Sequence, residues 1–176
     1  MNRRTFLIVS GTVVGLASMS SGGEDLPARK KLPDGVYAVE RLGDREKDLH
    51  PLKEGEVLAV NRHRYLKAEA KDPPSYLVVH ANPDVSLHLA GEPQADKDGE
   101  EVVSIRLKLK PKAAAALEEL TRARRGKQLA IVVDGEVVTV HKIREVIANG
   151  DVQITSCSPG GANYLMKQLQ GREKSK

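Results

Sequence analysis

The sequence predicts an α+β protein whose C-terminal part runs β-α-β-β-α-β-α, a ferredoxin-like order, behind a small, mostly antiparallel β-rich region. Three observations predict it. Leu129–Val133 and Val137–Val140 are apolar, mostly β-branched runs on either side of Asp134-Gly135, a dipeptide that accepts the positive φ angles of a two-residue hairpin turn. Val102 to Leu109 alternates, with Val103, Ile105, Leu107 and Leu109 on one side and Ser104, Arg106 and Lys108 on the other, as a half-buried strand does. Lys112 to Arg124 sets Ala113, Ala116, Leu117, Leu120 and Arg124 along one side of a helix.

The chain begins with a positive head, Arg3-Arg4, followed by an apolar stretch from Phe6 and then small residues at Ser18, Ser20, Ser21, Gly22 and Gly23. That is the anatomy of an export leader, expected over residues 1–23. Its apolar segment is shorter than the roughly 20 residues a membrane-spanning helix needs. Arg3-Arg4-Thr5-Phe6-Leu7 resembles a twin-arginine signal; a Sec signal and an uncleaved anchor remain the alternatives. With no cysteine near the small residues, a lipid-linked cysteine is excluded, and the expected location is the periplasm or the exterior. No stable transmembrane anchor is expected once the leader is removed.

Residues 24–32 read as a charged, Pro-containing linker, and residues 33–95 as a small β-rich domain. After the turn signal Pro33-Asp34-Gly35, strands are expected at Val36–Arg41, Glu56–Val60, Arg64–Ala68, Tyr76–His80 and Val85–Leu89. The polar stretch Gln94–Glu101 reads as the boundary to a second domain over residues 100–171, with 172–176 a charged tail. His50, His63, His80 and His88 lie 8 to 17 residues apart, without the close pairs of a sequence-local zinc site.

In the second domain, the strand at Val102–Leu109 leads to Pro111, which suits a first helical turn because its missing N–H has no intrahelical partner there. The helix is expected to end before Gly126. Leu129–Val133, apolar throughout, is expected to be a central strand covered on both faces. Lys142–Ala148 reads as a short helix with Ile143, Val146 and Ile147 inward, closed by Asn149-Gly150. Val152–Cys157 follows as a strand, and Ser158-Pro159 starts a last helix with Ala162, Leu165, Met166 and Leu169 as its buried stripe.

Leu120-Thr121, Gly126, Leu129-Ala130-Ile131-Val132, Asp134-Gly135, Val137-Val138, Ile143, Ile147, Gly150, Ile154 and Ala162 with Leu165 together resemble the P1 head subdomain of SecD, over Glu100 to Gly171. Val140-His141 stands where the family usually has Ala-Pro, and Thr155-Ser156-Cys157 where it usually has Gly-x-Phe. The resemblance implies a head that engages emerging substrate beside the bacterial protein translocase. With no transmembrane helix expected beyond the leader, it implies a detached head without the proton-driven motor.

Composition narrows the function further. Aromatics are 3% of the chain, and removing Arg3 and Arg4 from its 28 basic side chains leaves 26 against 24 acidic ones. Neither supports nucleic-acid binding. Cys157 is the single cysteine, so no intrachain disulfide forms.

A catalytic Cys157 would need a base such as His141 within hydrogen-bond reach; a buried, inert thiol is the plainer reading. Ser158-Pro159-Gly160-Gly161 lacks the Lys of a phosphate loop and reads as a helix cap. Arg122, Arg124, Arg125 and Lys127 read as a solvated cluster at a helix end, with an anionic wall or lipid surface as the alternative. Asp134, Gly135, His141 and Cys157 are the positions for turn geometry or interaction, with no cofactor or metal expected. The expectation is a non-enzymatic envelope protein with a protein or peptide partner. The alternative is an envelope enzyme or metal-binding protein using Cys157 or the front-half histidines.

Overall fold

The computed structural model describes residues 31–66, 73–98 and 102–170. The leader, linker residues 24–30 and the charged tail lie outside these. The fold is built around β8, Gln128–Val133, which the following β9, Glu136–Lys142, flanks on one side. Asp134 at φ 55° and Gly135 at φ 78° form the turn, so the hairpin stands as the dipeptide predicts. A bulge opposite Ile131 and Val132 bends the pair. On its other side β8 pairs over five positions with β1, Gly35–Val39, from the front of the chain.

Both faces of β8 are covered. Leu129, Ile131 and Val133 enter one core; Ala130 and Val132 enter another. The first core is closed by β7, Val102–Lys108; α1, Pro111–Ala123; β10, Asp151–Cys157; and α2, Pro159–Gln170. The second is closed by β3, Glu56–Asn61, and β4, Ser75–His80, through Ala59, Leu77 and Val79. Each fully buried Leu, Ile or Val contributes about 1.5–3 kcal/mol by leaving water.

The segment after β1 bends at Glu40 into β2, Arg41–Gly43, and pairs with β4, so one stretch serves two sheets. The sheets are β5-β1-β8-β9, with β5 at Val85–Ser86; β2-β4-β3; and β10-β7-β6, with β6 at Gln94–Asp98. The β1–β8 ladder therefore carries backbone hydrogen bonds across the expected parting of the chain near residues 95–100.

The α+β class with antiparallel sheets stands, but the ferredoxin-like order does not. β7 and β10 pair in one sheet and β8 and β9 in another, and residues 143–150 form no helix. The backbone of that segment is committed elsewhere. Ile143 N–H donates to the Lys127 carbonyl at 2.8 Å, and Ile147 N–H donates to Thr121 Oγ1 at 3.1 Å. So short a segment gains little from helical bonds once nucleation is set against them.

Three front-half expectations are corrected as well. Gln94–Asp98 is an edge strand, where polar side chains meet water and Asp96 pairs with Arg106 at 2.5 Å across the ladder. Arg64 and Tyr65 form a turn, because the Asn61 side chain accepts the His63 N–H at 3.0 Å and His63 takes φ 51°. Only Leu66 of the described part of that expected strand bridges to a partner, Cys157. Of Val85–Leu89 only the first two residues are strand, since His88 N–H folds back to the Ser86 carbonyl at 2.8 Å.

Candidate interaction surface at the hairpin tip

The β8–β9 turn carries two carboxylates, and each is held by donors from distant parts of the chain. Lys31 Nζ donates to Asp134 Oδ1 at 2.6 Å and the Tyr164 hydroxyl donates to Asp134 Oδ2 at 2.9 Å. Asp134 N–H itself donates to Asp34 Oδ1 at 2.9 Å. Two residues on, Glu136 accepts from the Tyr65 hydroxyl and from Arg64 Nη1, the latter at 3.1 Å. The Tyr65 and Tyr164 rings stack with centroids 5.4 Å apart and planes 15° from parallel.

These contacts set the charge states. Lys31, then Tyr164, hold the Asp134 carboxyl below the usual carboxylate range. Bonding to Asp134 pushes the Tyr164 hydroxyl up, and burial followed by Glu136 does the same to Tyr65. Asp134 is thus an anion and both phenols are neutral near neutral pH. The tip is a polar and aromatic cluster in which both carboxylates are held by donors.

Local sequence explains how α2 reaches the tip. Ser158 caps α2: its Oγ accepts the Gly161 N–H at 3.1 Å, with Pro159 in the first turn. Ser158 N–H donates to the Tyr65 carbonyl at 3.0 Å, bringing the 63–66 turn against the helix. That approach requires glycine at 161, where a Cβ would lie 2.4 Å from the Tyr65 oxygen. With Ala162, Leu165 and Leu169 inward, Tyr164 faces out toward Asp134 and is 39% exposed.

The other sequence candidates are scattered. Cys157 is fully buried, its thiol pushed up to about 11 by burial, with the Ile154 carbonyl as its partner. His141 sits at the far end of β9 from the tip and pairs with Thr139 Oγ1 at 3.0 Å. Burial lowers its pKa. Cys157 and His141 belong to different sheets and do not hydrogen-bond each other.

In the basic cluster, Arg124 makes two bonds to Glu40, at 2.7 and 3.0 Å. Arg122 pairs with Glu118 at 2.5 Å, and Arg125 Nε donates to the Arg144 carbonyl at 3.3 Å. Much of that charge is therefore spent inside the fold. Among the described residues no three His, Cys, Asp or Glu side chains are grouped to hold a metal. Sequence reasoning missed Lys31, Arg64, Tyr65, Glu136 and Tyr164. One signal was there: a chain with four Tyr and one Phe spends two of them here.

The SecDF P1 head subdomain model matches residues 66–172. Among solved structures, a SecDF described as a membrane component that enhances protein export is 33% identical, covering 45% of this chain and 36% of that one, with a TM-score of 0.39. SecDF in a super-membrane-facing form is 33% identical over 45% of this chain and 11% of that one, at 0.39. SecDF from Thermus thermophilus, a translocon-associated membrane protein, is 16% identical over 82% of this chain and 30% of that one, at 0.40. This chain spans well under two thirds of each. No curated protein matches it.

Proposed function

Because the chain belongs to the SecDF P1 head family, we propose that it works by contact, holding an unfolded protein or peptide outside the cytoplasm during or after export. The family match over residues 66–172 carries this reading. Chemistry at the tip supports it: Asp134 and Glu136 are occupied by donors, and the Cys157 thiol is buried and neutral. No catalytic step is assigned, and the chain acts by recognition.

The leader at 1–23, read from Arg3-Arg4 and the apolar run, supports the extracytoplasmic location. Among the described residues no helix is long and apolar enough to cross a membrane. We place the head at 100–171, with the front region 33–95 joined to it through β1; the family match, beginning at residue 66, takes in part of that region. Crosslinking in intact cells followed by mass spectrometry tests the reading. Exported polypeptides are expected among the partners. Recovery of no protein above background, or of the chain with its leader intact in the cytosol, would refute it.

A further inference from the structure

We propose that the outer edge of β10 docks an extended, unfolded polypeptide as an added antiparallel strand. The inference rests on the contact reading above and names the surface that performs it.

The edges of the three sheets differ in what they offer. β5 has two residues and β2 three, too short to hold a partner. β9 runs beside β3 of the neighbouring sheet. β6 exposes Lys97, a charge that opposes further pairing.

β10 is seven residues long and pairs with β7 along one side. Val152, Ile154 and Cys157 are buried, which fixes the strand. Its exposed Gln153 and Ser156 are uncharged, and Asp151 is paired with Lys108 at 2.9 Å. Nothing in this pattern selects a charged partner.

The outer side already shows what it accepts. Leu66 bridges Cys157 in antiparallel sense, and the Tyr65 carbonyl takes the Ser158 N–H at 3.0 Å. Among the described residues this is the one bridge on that side. It covers the C-terminal end and leaves Asp151–Ile154 without a second ladder among those residues. The Tyr65–Tyr164 stack stands at the covered end.

A partner added here is read through its main chain, with alternate side chains contributing little selection. That suits a ligand whose sequence varies but whose backbone is always extended and unpaired. An unfolded exported polypeptide has that chemistry.

The test uses the full chain and a soluble peptide of alternating Thr and Val with Lys at each end, long enough to span Asp151–Ile154. Amide hydrogen exchange is followed by NMR with and without it. Protection is expected at β10 amides not bonded to β7. Two copies are then compared, N-methylated on alternate amides in opposite registers, and one is expected to bind about tenfold or more weakly.

Binding with protection on another strand, or equal binding by both methylated copies, would overturn the docking mode and leave the contact reading standing. Protection of those β10 amides before any peptide is added would also overturn it, showing the edge covered by this chain or a second copy. If neither the peptide nor a reduced, carboxymethylated polypeptide binds, both fall. If only the latter binds, strand addition alone falls.

Discussion

β8 and β10 are both strands of the head, yet they do opposite work. β8 is buried from Leu129 to Val133, packs both faces into cores and has a paired strand on each side. β10 buries alternate residues, turns Asp151, Gln153 and Ser156 to water and has a full ladder on one side. A strand satisfied on four sides is scaffold, because nothing can be added to it without removing something. A strand satisfied on two or three sides is where a fold can take a partner at little cost to itself.

The largest effect that would test this contrast is a pair of truncations. Ile131→Ala, at 1% exposure in the middle of β8, should cost about 3 kcal/mol in denaturant unfolding. Gln153→Ala on the exposed side of β10 should stay within about 0.5 kcal/mol. Equal losses would erase the distinction between the two strands.

A smaller effect probes the one place where β10 is already covered. Gly161→Ala sets a Cβ against the Tyr65 carbonyl and should cost about 2 kcal/mol as the 63–66 turn is pushed away. The buried, neutral Cys157 should react slowly with iodoacetamide in the parent and faster in the variant. An unchanged alkylation rate would mean that the turn does not guard this end. Smaller again is Ser158→Ala, which removes the Oγ acceptor for the Gly161 N–H and should cost about 1 kcal/mol, while Ser158→Asp should retain most of the stability.

The same contrast explains what the sequence could reveal. A continuous apolar run around Asp134-Gly135 has one good solution, a doubly covered hairpin strand, so β8, β9 and their turn were legible. Pro111 and the spacing of Ala113 and Leu117 gave α1 within a residue at each end. What failed was the pairing between elements. No local pattern says that β1 will take one flank of β8, or that β7 and β10 will pair in a sheet apart from the one that holds β8 and β9.

Lys142–Ala148 misled because Ile143, Val146 and Ile147 have helical spacing, whereas buried Thr121 captures the Ile147 N–H from a separate helix. β6 misled because an edge strand with one wet face has the composition of a linker. The tip was half legible. Turn chemistry pointed to Asp134, but its partners lie 103 and 30 residues away, at Lys31 and Tyr164.

The smallest expected effect separates the two ends of β9 by pH. At the inner end His141, opposite Leu129 of β8, has its pKa lowered by burial. Its folded form binds a proton less readily than the unfolded chain, whose value is about 6.5. Falling pH therefore protonates the unfolded state first, and stability drops from about pH 6.5 down to the folded pKa. His141→Gln should remove that slope, seen as a smaller loss of Tm between about pH 7 and 5. At the tip the carboxyl of Asp134 is also lowered, by Lys31 and then Tyr164, so it is the charged form that the fold favours. Its contribution is present above the unfolded value of about 3.9 and is lost only as pH falls through the folded value. Asp134→Asn should thus leave the slope near neutrality intact and flatten the acid limb. If Asn at 134 flattened the neutral slope, or Gln at 141 the acid one, the assignment of burial to the inner end and of bound charge to the tip would be reversed.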